Sequence, residues 1–443
     1  RYDQSETLLR RAIELHRRRG DRIAAARATA ALAQALLRGE RVEAALALLV
    51  PASAEFADLS PDPVVVALDG WLARAYASNE EHRSAIEVAE RVLDAAEHRD
   101  LVEILAATLV TKGFALGSLG RVREGIGVIR AGEELARDNE LQAIRLYALV
   151  MRGLFQGDID VAAALDGFRE GLALARRVGD RSSMLRFINN VGYTAFLAGD
   201  WDVALAELDT GLAEENLERA HRIDLLSNAL IVHACRGEPV ADGLAELELA
   251  IAGDTESNRI APVEDAKANA ALAEGRLDDA RVAWRRNAEL IAWLAPSSFY
   301  QAARPALWDR DVAAVQADLA ALDATGFHGR VVEVRRTTIR AGLAALEGRT
   351  ADALALYREA LRGWQDTGLP WDQALTGIDM ATLLDPSNPE VRAAAQSARE
   401  TLVRLGAKPF LARLDAAIGR RTSAESATTA VGESIESRSP TPP

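Results

Sequence analysis

One pattern of small and large positions recurs along this chain of 443 residues. It starts at a small or acidic turn residue and continues, five or six residues on, with Ala or Gly. A large residue follows four later, and a small one three beyond that. Clear copies run through Gly120, Gly125, Ile129 and Gly132, and through Gly199, Ala204, Leu208 and Gly211. Two more run through Gly275, Ala280 and Trp284, and through Gly348, Ala353, Tyr357 and Ala360. A copy near the start pairs Gly39 with Ala44. Weaker ones pair Glu80 with Ala85, Gly157 with Ala164, Gly237 with Gly243, and Arg310 with Ala314. These turns recur about every 39 residues, which is room for two helices and their connections.

The spacing has a physical reading. Each unit is a helical hairpin, and the Gly at its turn takes a left-handed conformation that other residues resist. The small residue lets the second helix approach the first. The large residue four later lies on the same helical face and fills the gap to the next hairpin. One hairpin cannot bury its apolar face alone, so the hairpins stack into a one-dimensional core. The expected fold is an all-α, right-handed α-solenoid of about ten hairpins, with no β-sheet. Loops between hairpins read as stop-and-start signals. Gly20-Asp21-Arg22 and Gly179-Asp180-Arg181 are near copies, with Asp100 and Asn139 at comparable places. There Gly ends one helix and the Asp or Asn caps the next. Basic residues before these stops, His16 to Arg19 and Arg176-Arg177, suit helix C-termini.

Composition agrees. Hydrophobic residues make up 49% of the chain but aromatics only 5%, with Ala and Leu dominant, which favours helices over sheets. The net charge of −14 opposes binding to nucleic acid and to anionic membrane surfaces. The one cysteine, Cys235, excludes an internal disulfide, and no apolar run is long enough to span a bilayer. Cytoplasm is the expected compartment. The chain opens at Arg1 within a helical pattern, which reads as a fragment of a longer protein.

Searches for chemistry return little. Lys112, Lys267 and Lys408 follow Thr or Ala, so no Walker loop is present. His98-Arg99-Asp100-Leu101 resembles a kinase catalytic loop, but Leu105 stands where the Asn is required. None of the six histidines forms a metal-binding pair. His233 and Cys235 point to different sides of a helix and read as a buried thiol beside a satisfied histidine. Glu214-Glu215 and Asp278-Asp279 read as solvated faces. No catalytic residue, cofactor or metal is expected.

The Ala/Gly–large–small spacing, with Asn190-Val191-Gly192 leading to Gly199, resembles the tetratricopeptide repeat. The resemblance runs from about Gln4 to Gly419. It departs in period, nearer 39 than about 34, and lacks most of the aromatic and Pro positions. Long, loose repeats of this kind resemble the C-terminal arms of large bacterial regulators. These include signal-transduction ATPases with LuxR-type output domains, and proteins joining an adenylate cyclase, an ATPase module and a repeat arm. The stretches Ala381 to Pro386 and Ala398 to Phe410 are similar to the way such arms end.

The resemblance implies a non-catalytic protein-interaction or sensor arm. Its partner would be a protein or peptide, or the upstream domains of the same polypeptide. A freestanding scaffold and an arm sensing a small inducer are the alternatives. By the same analogy the first helix of each hairpin lines the concave side. That places Arg74, Phe114, Tyr147, Met151, Asn189, Tyr193, Asn269, Tyr300, Arg304 and Arg335 on the binding face. Asn189-Asn190 reads either as a clamp on a peptide backbone or as a polar contact between hairpins. Most of the seven tryptophans read as core. The solenoid is expected over residues 1–419. The Ser-, Thr-, Glu- and Pro-rich stretch 420–443 is expected to be a disordered tail.

Overall fold

The computed structural model describes residues 2–39 and 41–419, with side chains from residue 5 onward. Among them every regular element is helical. The first helices are α1 (Tyr2–Arg18), α2 (Arg22–Arg38), α3 (Val42–Glu55), a short 3-10 turn (Ala57–Leu59), α4 (Pro63–Ser78), α5 (His82–His98), α6 (Val102–Ser118) and α7 (Val122–Asp138). Next come α8 (Gln142–Gln156), α9 (Val161–Val178), α10 (Arg181–Leu197), α11 (Trp201–Leu212), α12 (Arg219–Arg236), α13 (Ala241–Ala250) and α14 (Ser257–Glu274). The last are α15 (Leu277–Leu290), α16 (Ala295–Asp309), α17 (Val312–Ala324), α18 (Arg330–Leu346), α19 (Thr350–Thr367), α20 (Pro370–Leu383) and α21 (Pro389–Leu405). A further helix, α22, covers 408–419.

Even-numbered helices form an inner layer in three runs, α2 to α8, α10 to α14 and α16 to α20, joined through α9–α10 and α15–α16, and the odd-numbered helix following each packs beside it. The described residues thus form ten hairpins, flanked by α1 and α22. All nine turns read from the sequence fall between an inner helix and its outer partner. The large positions Ile129, Leu208, Trp284 and Tyr357 are buried, as are the small ones beside them.

Five local expectations are corrected. Gly39 and Gly157 are not left-handed, with φ of −87° and −58°. At the first of these turns the buried small residue is Ala45, one later than Ala44. After Gly157 the chain makes a longer turn, and Asp160 caps α9 by accepting from the Ala163 amide at 3.0 Å. Asp21 and Asp180 do cap α2 and α10. Asp100 and Asn139 do not cap the next helix. Asp100 itself takes the left-handed turn, with φ of 53°, and Asn139 closes α7 by donating to the Leu135 carbonyl. Leu101 and Leu141 occupy the N-cap positions instead.

The α6–α7 crossing shows why the small positions matter. A Cβ added to Gly125 would lie 2.5 Å from the Gly113 carbonyl oxygen and 2.8 Å from the Gly117 amide nitrogen. Backbone cannot step aside as a side-chain tip can. Gly125→Ala is therefore expected to cost about 1–3 kcal/mol despite its better helix propensity. Gly127, on the same helix with open space around it, is the control. Gly127→Ala should stabilise by up to about 1 kcal/mol. Urea unfolding of both variants checks the contrast, and similar shifts in both would refute the packing argument.

The solenoid also closes on itself. The turn edges of the early hairpins meet elements roughly half the chain later. Glu80 Oε2 accepts from the Ala292 amide at 3.0 Å, and Gly120 sits against Gly326 and Phe327. Asp158 pairs with Arg335 at 3.6 Å. Gly199 lies under Pro370, and its carbonyl accepts from Arg404 at 3.0 Å. Gly237 lies under Pro409, with Arg236 reaching the Leu405 carbonyl at 3.3 Å. Aromatic rings seal this seam. Trp371 meets Trp201 edge-on at 5.0 Å and Phe410 at 4.8 Å, and Phe196 stacks on Trp201 at 5.4 Å.

Candidate functional site

Closure brings the inner-layer helices of early and late hairpins to face one another. All ten residues read as concave lie on inner-layer helices, but they do not share one environment. Phe114, Tyr147, Met151, Asn189, Tyr193, Asn269, Arg74 and Arg335 are half-buried. Tyr300 and Arg304 are sealed, at 2% and 1% exposure. Their expected place on an open binding face is corrected. The reason is that α20 packs across α16 and supplies a buried partner. Asp379 takes Arg304 Nε at 3.3 Å and the Trp308 indole N–H at 2.7 Å, and Arg304 Nη2 donates to the Tyr300 hydroxyl at 2.5 Å. Burial pushes the Asp379 carboxyl up, while Arg304 and the Trp308 N–H pull it back.

Two regions of opposite charge line the interior. One centres on Tyr193. Burial raises its hydroxyl pKa, and Asp265, Asp372 and Asp158 add to that while Arg335 opposes it. These charges come from the turn after α8 and from α14, α18 and α20, and Asp158 pairs with Arg335 of α18 at 3.6 Å. Asp265 accepts from the Trp284 indole at 2.9 Å and from Asn269 Nδ2 at 3.2 Å, and burial raises its pKa to about 6. Asp158 and Asp372 are also raised by burial, with Arg335 acting against it.

The second region lies on α2, α4, α8 and α10. The Arg74 guanidinium sits 3.9 Å from the Tyr147 ring centroid and 5.5 Å from that of Trp71. Burial lowers its pKa, and the positive charges of Arg186 and Arg38 lower it further. His221, on α12, is driven down to about 4 by burial and then by Arg186 and Arg181. On α10, Arg186, Asn189 and Asn190 share a face. Asn189 Oδ1 accepts from Asn228 Nδ2 at 2.8 Å, so this Asn makes the contact between hairpins.

The sequence reading missed Arg38, Arg186, Asp158, Asp265 and Asp372. Three of these had a local signal. Arg186 lies three before Asn189, Asp265 four before Asn269, and Arg38 at the end of an inner helix. Cys235 is buried and its thiol pKa is raised by burial, while His233 bonds Glu238 at 2.5 Å, as the sequence suggested for this pair. Among the described residues no cluster of His, Cys, Asp and Glu could hold a metal, and no helix is long and apolar enough to cross a membrane.

Asp265 yields a test of this geometry. Its folded-state pKa of about 6 lies above the ordinary 3.8, so the folded state holds its proton more tightly. The stability that this contributes is full below the ordinary value and is lost as pH rises through about 6. Asp265→Asn should flatten that part of the decline in melting temperature between about pH 4 and pH 7. Parallel profiles for parent and variant would show that Asp265 is not held in this environment.

No family model matches the chain, and no curated protein matches its sequence. Solved structures of other helical-repeat proteins are similar at low identity. Yeast Tom70 is 14% identical, with a TM-score of 0.36 over 93% of this chain and 91% of that one. The P58(IPK) TPR domain is 14% identical, with a TM-score of 0.20 over 85% of this chain and 98% of that one. A circular tandem repeat protein with a novel repeat topology is also 14% identical, with a TM-score of 0.15 over 98% and 99%. At such scores the functional reading rests on the chain's own residues.

Proposed function

We propose that this chain is a non-catalytic protein-interaction arm that takes an extended segment of a partner along its inner face. The observation carrying the reading is the character of that face. Tyr147, Met151, Asn190 and Tyr193 lie half-buried on α8 and α10, lining a curved interior. Aromatic side chains and amides in a partly desolvated groove are the groups that recognise peptide segments. The regulator context, with an ATPase, cyclase or DNA-binding module elsewhere in the polypeptide, belongs to this proposal. It is supported by the resemblance of Ala381 to Pro386 and Ala398 to Phe410 to the ends of such arms.

Photocross-linking in the native host tests the reading. A benzophenone amino acid is placed at Asn190 on the inner face, and in a second strain at Val282, exposed on the outer helix α15. A protein, or another region of the same polypeptide, captured from position 190 and not from position 282 is the expected result. Capture from the outer position alone would overturn the inner-face assignment.

A further inference from the structure

We propose that the inner face of the first hairpins anchors an acidic side chain, Asp or Glu, of an extended partner segment, with Arg74 as the anchor and Arg38 and Arg186 flanking it. This rests on the reading above and names the chemistry of the segment. The argument begins from pairing. Every other Lys or Arg that is partly or fully buried on an inner-layer helix has a carboxylate within 4 Å among the described residues. Lys112 meets Glu90 at 2.7 Å, Arg152 meets Glu133 at 2.9 Å, and Arg335 meets Asp158. Arg74 has none. The charges that act on it are instead those of exposed Arg186 and Arg38, in a chain that carries 14 more acidic than basic charges.

A half-buried cation near like charges and without a carboxylate partner raises the free energy of the folded state. Retaining it is an ordinary outcome only where an anion completes the site. The Arg74 guanidinium is stacked on Tyr147, which fixes its plane and leaves its N–H edges to meet a carboxylate side-on. Arg186 and Arg38 then supply the surrounding positive potential.

A peptide suits the site better than a free anion. Asn190 shares a face of α10 with Arg186 and makes no side-chain hydrogen bond among the described residues. Its amide offers both donors and an acceptor, which match a peptide group. A phosphate or sulfate ion has no N–H for the acceptor. The net negative charge of the chain opposes an acidic segment elsewhere, the Asp158, Asp265 and Asp372 region of the interior included, so its attraction is confined to the Arg74 patch.

The test uses the whole chain and fluorescein-labelled octaglutamate, with octaglutamine as the neutral control, followed by anisotropy. Octaglutamate is expected to bind and octaglutamine not to bind. Arg74→Gln should weaken octaglutamate about tenfold or more, as loss of a charge-assisted pair does. Arg176→Gln, on the outer helix α9, should leave it unchanged. Arg74→Gln loses only the contact with the Tyr147 and Trp71 rings, so it should melt close to the parent, and that separates lost binding from lost folding. Equal affinity of parent and Arg74→Gln would overturn the proposal, as would displacement of octaglutamate by millimolar phosphate or free glutamate. If inner-face cross-linking succeeds while octaglutamate fails to discriminate, the acidic anchor falls and the interaction arm stands.

Discussion

Asp379→Ala is expected to destabilise the chain by about 3–5 kcal/mol, as removal of one partner from a buried ion pair does. The reason is what remains. Arg304 is 1% exposed, and Asp379 is its carboxylate partner within the stack. The Trp308 indole N–H loses its acceptor at the same time. Removing both charges together should be far milder. Arg304→Met with Asp379→Leu replaces the pair by apolar groups of similar length, a change that is often neutral. Urea unfolding followed by circular dichroism compares the single and double variants. A loss under about 1 kcal/mol in Asp379→Ala would mean that water reaches Arg304 and that the seal between α16 and α20 does not hold. The same data decide how Arg304→Ala is read in any binding assay, because that variant loses structure before it loses a contact.

Trp371→Ala should cost a comparable amount, about 3–5 kcal/mol, by leaving a large cavity. Its distinctive effect is on shape. Trp371 lies 3% exposed between Trp201 and Phe410, where early and late hairpins meet. Trp364 is buried within the stack, with its indole N–H on Thr338 at 3.1 Å. Trp364→Ala should lose similar stability without opening the seam. Small-angle scattering separates the two. The radius of gyration should rise in Trp371→Ala and stay near the parent's value in Trp364→Ala. Equal scattering from both would show that the aromatic contacts do not hold the seam closed.

These two variants also mark the limit of what could be read from the sequence. The hairpin turns were legible because each is punctuated locally, by Gly or by a residue forced into the same left-handed geometry, as at Glu80 and Arg310. The helix ahead of each turn followed from the turns, and Arg74, Asn189 and Tyr193 lie on such helices. Most of the tryptophans read as core, and Trp201 reads as part of a turn. That Trp201 and Trp371 meet each other was invisible, since a contact between positions 170 apart leaves no periodic trace. The sealing of Tyr300 and Arg304 was missed for the same reason, because Asp379 lies 75 residues from Arg304. Charge was misleading in a different way. A net balance of −14 conceals a local excess of positive charge, half-buried Arg74 with exposed Arg38 and Arg186 near it.

The seam also orders the chain in time. Neighbouring hairpins need only short-range contacts and can assemble as each emerges from the ribosome. The closing contacts join residues 212 apart at Glu80 and Ala292, 205 apart at Gly199 and Arg404, and 169 apart at Arg236 and Leu405. Throughout synthesis of its second half, the nascent protein is an open arc with one long edge of turns uncovered. The interior that carries Arg74 is closed off only when residues from Ala292 onward reach these early turns, so its form depends on contacts far apart in the sequence.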